Sequence, residues 1–317
     1  MGRFVVRRVA GMLVVMFAVS VLTFLIFNVI PNGDPADRMA GRNSTPVQIA
    51  AIEREWGFDK PIYTQYLTTM EKVFTGDLIS YANQTSVVEE IKRGIPRTFA
   101  LAIGAALIWL AMGTALGLYT AMRAGRFSDT LVTVLALIGI SMPVFWLGAL
   151  ASYYLGFKLG VFPNGGYAEI GEAGLWEWVK HMILPWTVLA TLFVGVYSRV
   201  LRSNILDTIN DDYVRTARAK GLTERRVMVH HVLRNSLIPI VTLWGLDFGA
   251  VLGGGAILTE TVFDLQGVGQ YFAESIGQLD VPPVLAVTLF GAFFIVLLNT
   301  IVDIVYAALD PRIRLSR

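Results

Sequence analysis

Six apolar runs, at roughly 9–30, 97–122, 130–157, 182–201, 237–258 and 284–309, constrain this chain more tightly than any motif in it. A hydrocarbon core of about 30 Å is crossed by roughly 20 helical residues, and each run is long enough to do so. Charge supports lipid as the solvent. Only 16% of residues are charged and 55% are hydrophobic, whereas soluble domains carry about 25% charged residues. The expected fold class is therefore all-α and integral to a membrane, with six transmembrane helices.

The first run follows Arg3, Arg7 and Arg8, as a signal peptide would. Val9–Ile30 is longer than the 7–15 residues typical of a signal h-region, and no small-residue cleavage site follows it. An uncleaved first helix is expected, with a cleaved signal as the alternative. Orientation follows from Lys and Arg in the loops. With the N-terminus inside, the inner segments hold 16 of the 26 basic residues beside six acidic ones, and the outer segments hold sixteen acidic residues. The two shorter outer loops carry only Lys158 and Lys180. Both termini are then cytoplasmic. The implied organisation is a helix over 1–30, an extracytoplasmic segment with short helices over 31–96, a five-helix core over 97–309, and a cytoplasmic tail over 310–317.

Local signals refine this scheme. Thr45-Pro46 predicts a capped helix over Val47–Trp56, and Pro61–Phe74 predicts another. The outer segment is too short for a large core of its own. Pro143 should kink the third span, and Pro185 leaves the start of the fourth open. Gly245, Gly249, Gly253, Gly254 and Gly255 suit the fifth to close helix packing.

Between the fourth and fifth spans, residues 202–237 are polar, basic and cytoplasmic. Asp211 and Asp212 can cap a short helix over Tyr213–Lys220. Gly221 ends it in the left-handed manner. Thr223 then caps a second helix running to about Asn235, with Glu224 in its first turn. Three readings are open: a DNA-binding helix-turn-helix with the outline Ala217-x-x-x-Gly221, a docking element for a cytoplasmic partner protein, or a solvated loop. The hairpin is pinned near the bilayer at both ends, which argues against DNA. Val227, Val229, Val232 and Leu233 need burial nearby, which argues against a merely solvated loop.

Little else points to chemistry within the chain. There is no cysteine, which excludes disulfides, thiolate metal sites and a Cys nucleophile. No Gly is followed by Lys, so no phosphate-binding G-x-x-x-x-G-K-[ST] occurs. ATP-driven work would need another chain to hydrolyse the nucleotide. Gly267-Val268-Gly269 lacks a third glycine at dinucleotide spacing. His230 and His231 are adjacent and so point to different faces, and His181 lies across the membrane, so no metal site is expected. Asp247 and Asp303 fall inside predicted spans, and Asn299 shares a helix face with Asp303. With Ser141 they are candidates for the polar wall of a translocation path. The competing reading is hydrogen bonding between helices.

At the hairpin the chain resembles the permease subunits of binding-protein-dependent ABC importers, whose cytoplasmic EAA loop has an Ala-x-x-x-Gly core. The stretch Tyr213-Val214-Arg215-Thr216-Ala217-Arg218-Ala219-Lys220-Gly221-Leu222 is similar to the dipeptide/oligopeptide/nickel branch. Other segments resemble that branch in order: Pro31-Asn32-Gly33-Asp34-Pro35-Ala36, Trp56-Gly57-Phe58-Asp59-Lys60-Pro61, Tyr63-x-Gln65-Tyr66, Gly76-Asp77-Leu78, Phe162-Pro163-x-x-Gly166, Leu233-Arg234-Asn235-Ser236-Leu237-Ile238-Pro239, Glu260-Thr261-Val262-Phe263, Gly267-Val268-Gly269 and Asp310-Pro311-Arg312-Ile313-Arg314. The long outer segment points to the first, or B-type, of two paired permeases. Asn32, Phe58 and Asp264-Leu265-Gln266 depart from the branch's pattern.

The resemblance implies the permease fold of a type I ABC importer in a bacterial or archaeal cell membrane. It implies a heterodimer with a second permease, two ATPase subunits or one fused ATPase chain, and an extracytoplasmic peptide-binding protein. ATP and Mg would bind in the ATPases and no cofactor in this chain. Nickel, glutathione and haem are handled by related systems. The ATPase-coupling contact maps to Asp212, Tyr213, Arg215, Thr216, Ala217, Arg218, Ala219, Lys220, Gly221 and Leu222, with Ala217 and Ala219 allowing close approach. Pro143, Gly249 and Gly253 are the candidate hinges. A self-sufficient secondary carrier is the alternative from another class.

Overall fold

The structure, a computed structural model, describes residues 2–29, 34–40 and 44–309. Residues 31–33 of the first family-like motif and the tail 310–317, with the Asp310–Arg314 motif, lie outside the described residues. Among the described residues the secondary structure is helical, apart from one isolated antiparallel bridge between Ile79 and Ser86. A helix satisfies its own backbone polar groups, which lipid cannot do.

Helix α1 (Gly2–Phe24) ends in a wider turn, Leu25–Val29. The outer segment supplies α2 (Pro35–Ala40), α3 (Pro46–Trp56) and α4 (Ile62–Thr75). Thr45 and Gln48 form a reciprocal capping box at the start of α3. Helix α5 (Val87–Met122) starts ten residues before the predicted span and runs through Pro96. Helices α6 (Phe127–Ser141) and α7 (Val144–Lys158) replace the kinked third span. They meet at 100°, which is a break rather than a kink. Pro143 lacks an N–H and forces Met142 into an extended conformation (φ −84°, ψ 130°), so the helical ladder stops there.

After a short α8 (Ile170–Ala173), α9 (Leu175–Thr208) extends past both ends of the predicted fourth span and continues through Pro185. The hairpin consists of α10 (Asp212–Ala219) and α11, a helical stretch over 224–236 with a wider turn at Val227–Leu233. Then come α12 (Ile238–Gly255), α13 (Ile257–Phe263), α14 (Val268–Gly277) and α15 (Val281–Leu309). Five described helices are long and apolar enough to cross a bilayer, and the bent α6–α7 pair makes a sixth span if taken as one. The chain is a multi-pass membrane protein. Apolarity marks bilayer depth, whereas helix ends are set by capping and turns, so hydropathy misplaced the ends.

Contacts divide the chain into two compact units that cut across the linear scheme: residues 1–100 with 249–317, and residues 101–248. In the first, α1 packs along α15, and α14 packs on both α13 and α15. The outer helices share a core with a membrane helix, since Trp56, Met39, Ile52, Leu78 and Val87 cluster with Ala286 of α15. Trp56 Nε1 donates to the Tyr81 hydroxyl at 2.7 Å. Asp280 accepts from the Ser80 hydroxyl and from the Tyr81 and Ala82 N–H groups.

Burial, reinforced by nearby Glu55, Asp280 and Asp77, pushes the Tyr81 phenol up to about 12. A raised phenol pKa favours folding fully below pH ~10, where the unfolded chain's tyrosine is still neutral, and that contribution is lost as pH rises towards 12. Thermal unfolding at pH 9 and pH 11.5 should therefore show a larger drop for the native chain than for Tyr81→Phe.

In the second unit α6 and α7 pack on α9. Small residues of α5 admit α9 closely. A Cβ added at Gly104 would lie 2.1 Å from the Trp186 ring, and one at Gly113 2.6 Å from Tyr197. Trp109 packs at 4.3 Å, centroid to centroid and tilted by 30°, against Phe193 beside the fully buried Tyr197.

Candidate functional site

The hairpin is built on the end of α9. Ser236 of α11 donates to the Asn204 carbonyl at 3.3 Å and approaches the Thr208 hydroxyl at the same distance. Val214 and Ala217, three residues apart on α10, are buried together with Val227 and Val232 of α11, against which α10 packs. The Tyr213 hydroxyl accepts from Asn235 Nδ2 at 2.7 Å and donates to the His231 carbonyl at 3.3 Å. Arg218 pairs with Glu224 across the turn at 2.9 Å. Gly221 takes the left-handed conformation (φ 79°), with its N–H on the Arg218 carbonyl.

The outward face of α10 consequently carries Asp212, Tyr213, Arg215, Thr216, Arg218, Ala219 and Lys220, all exposed, while Leu222 is half-buried. Three details differ from the sequence reading. Ala217 is 4% exposed and fills the hairpin's own core, so only Ala219 is free for close approach by a partner. Val229 stays exposed, because it sits off the α11 stripe that buries Val227 and Val232. Asp211 and Thr223 occupy the N-cap positions with extended backbone, but neither side chain makes a cap hydrogen bond.

The other candidates have the following neighbours, each within its own unit. Asp247 accepts a 2.7 Å hydrogen bond from the Tyr197 hydroxyl. On the same helix Trp244 stacks on Phe248 at 5.5 Å and donates from its indole to the Ala106 carbonyl at 3.0 Å. Asp303 is ion-paired with Arg8 of α1 at 2.6 Å. Asn299 faces Gly249 of α12, where an added Cβ would lie 3.8 Å from its Oδ1. Ser141 donates to the Leu137 carbonyl at 2.8 Å, one turn back on its own helix. Of the hinge candidates, Pro143 stands at the α6–α7 break. Gly249 and Gly253 are helical close-packing positions, and the non-helical torsion of α12 falls at Gly254 (φ 139°). A Cβ at Gly253 would lie 2.3 Å from Ile295 of α15.

Two assemblies escaped sequence reasoning. Asp129, 4% exposed at the start of α6, binds Arg202 of α9 through two bonds of 2.9 and 2.8 Å and accepts the Gly125 N–H at 3.0 Å. In the other unit, Glu260 of α13 is fully buried, and its Oε2 accepts the Gln270 N–H at 2.9 Å. Thr98 of α5 accepts the adjoining Val268 N–H at 2.9 Å. Together Glu260 and Thr98 satisfy the free N–H groups that open α14. Burial pushes the Glu260 carboxyl up, while donation from Thr98, Gln270 and Gly269 opposes this. Gly267 and Gly269 are glycines because a Cβ there would lie 2.4 and 2.9 Å from Glu260 Oε2. The only sequence signal was the Glu260-Thr261-Val262-Phe263 and Gly267-Val268-Gly269 pair of motifs, whose chemistry depends on Thr98, far away in the chain.

Comparisons with known proteins agree with this architecture. Residues 113–315 match the family described as binding-protein-dependent transport system inner membrane component, and residues 1–102 match that family's N-terminal region. The chain is 36% identical over 338 aligned positions to the dipeptide transport system permease protein of Escherichia coli (strain K12), with 99% of each chain covered. It is 34% identical to the dipeptide transport system permease protein of Alkalihalophilus pseudofirmus, covering 98% of this chain and 99% of that one. Its fold matches a chain of the MetNI methionine ABC transporter in an inward-facing form, with a TM-score of 0.55, 16% identity, and coverage of 70% of this chain and 97% of the other. With full-length relatives, both family regions matched in order and an importer permease fold, the chain belongs to the binding-protein-dependent transport system inner membrane component family.

Proposed function

We propose that this chain is the membrane-spanning subunit of an ATP-driven peptide importer in a bacterial cell membrane, with both termini cytoplasmic. It lines half of the translocation path beside a second permease subunit. An extracytoplasmic binding protein delivers the peptide, and two ATPase subunits, or one fused ATPase chain, hold ATP and Mg and hydrolyse the nucleotide. The observation that carries this reading is the α10–α11 hairpin. Its core is closed by Val214, Ala217, Val227 and Val232, so its outer face, with Arg215, Arg218 and Lys220 at the rim, is left for a partner. The relatives' role in dipeptide transport supplies the substrate class. Movement of the ATPases would reach α9 and α12 through α11, and the α6–α7 break at Pro143 is where the membrane helices bend. We assign Asp247 to the path and Asp303 to a tie between α15 and α1.

Reconstitution in liposomes tests this reading. Dipeptide uptake is expected only when permeases, ATPases, binding protein and ATP are all present. Uptake by this chain alone would establish a self-sufficient carrier instead.

A further inference from the structure

We propose that the cavity beside Glu260 is a receptor for an organic primary ammonium group, and that it takes the amino-terminal residue of a peptide on its way into the membrane. This rests on the peptide-importer reading and deepens it. The cavity has a volume of about 270 Å³, lies wholly within the unit formed by residues 1–100 and 249–317, and is walled by α12, α13, α14 and α15. One water occupies about 30 Å³ in the liquid, so the space suits an amino-acid side chain better than a single solvent molecule.

Glu260 is the one titratable residue on its wall. Oε2 is committed to the N-terminus of α14, but Oε1 is buried and has no hydrogen-bond partner. A buried, unpaired carboxylate oxygen is costly, and the lining residues include no Lys, Arg or His to match it. A ligand that brings its own positive charge removes that cost.

The rest of the lining narrows the class. An inorganic cation needs several oxygen ligands, and among the described residues no cluster of three or more acidic or histidine side chains is arranged to hold one. The hydroxyl of Thr288 is already donated to the Val284 carbonyl at 2.7 Å. An ammonium group instead needs one carboxylate and can place its remaining charge against aromatic faces. Phe272 and Phe290 line the cavity, and Ile257 and Ile295 offer apolar wall to a side chain. Gly253 and Gly291, both on the lining, bring α12 and α15 into close contact at this wall, since a Cβ at Gly291 would lie 2.6 Å from the Gly253 carbonyl oxygen.

The test uses the assembled transporter without its binding protein, probed with Ala-Phe and N-acetyl-Ala-Phe by calorimetry. Ala-Phe should bind at least ~10-fold more tightly than the acetylated form, and Glu260→Gln should erase that ratio. The amide keeps an acceptor for the Gln270 N–H, so α14 stays capped. Phe290→Leu retains the carboxylate and apolar bulk and should weaken Ala-Phe several-fold with less effect on the acetylated peptide. Equal binding of the two peptides, or a ratio unchanged in both variants, overturns the site. ATP-driven uptake by the complete native system is measured alongside. Uptake together with an unchanged ratio overturns the site alone, whereas absence of uptake overturns the importer reading as well.

Discussion

A valine at Gly221 is expected to reduce peptide-stimulated ATP hydrolysis by the assembled transporter at least ~10-fold while leaving the complex intact. Gly221 sits at φ 79°, where a β-branched residue is strained by about 1–3 kcal/mol. An added Cβ would meet no heavy atom within 4 Å, so the substitution acts through the backbone and not through a clash. The strain is relieved by turning α10 away from α11. That movement breaks the Arg218–Glu224 pair and the Tyr213–Asn235 hydrogen bond and re-aims the exposed face of α10. Basal hydrolysis by the ATPases should persist. Gly221→Asn, which tolerates the left-handed region, should fall between glycine and valine. Stimulation that is the same in all three proteins would remove α10 from the coupling path.

Asp129→Ala is expected to be the most destabilising change on the side of the molecule that carries the hairpin, by about 3 kcal/mol. The carboxylate is almost fully buried and takes both of its bonds from Arg202 in a fork, with the Gly125 N–H as a third donor. Removing it strands a guanidinium whose side chain is only 32% exposed. Arg202 lies two residues before Asn204 and six before Thr208, the positions of α9 that hold Ser236, so loosening it should also weaken coupling. Thermal unfolding in nanodiscs measures the loss, and the exchanged pair Asp129→Arg with Arg202→Asp should recover roughly half of it. A stability equal to that of the native chain would show the pair to be a surface contact without energetic weight.

Much of this was legible before any coordinates. Apolar runs announce spans because lipid leaves a helix no other way to hide its backbone. Gly221 announced its turn because an αL residue after a short charged helix is usually glycine, and Thr45-Pro46 announced a capped helix, although the reciprocal bond from Gln48 did not show. Pro143 was visible as an interruption, although the extent of the break depended on how Met142 and α9 accommodate it. The inner faces of the hairpin were visible only as a need for burial. Which apolar residue met that need was not, and Ala217 and Val229 exchanged roles.

The sequence by itself determined the membrane helices, the basic hairpin between α9 and α12, and the family-like order of short motifs, because each depends on local composition or on spacing within one element. The tertiary structure alone decided which polar groups meet. Asp129 with Arg202, Tyr197 with Asp247, Arg8 with Asp303, and Glu260 with Thr98 and Gln270 are pairings between different helices, many of them separated by scores of residues. No periodicity along one helix encodes its neighbour. The hairpin that sequence marked by its charge is thus defined, in three dimensions, by the few apolar side chains that turn its charged face outward.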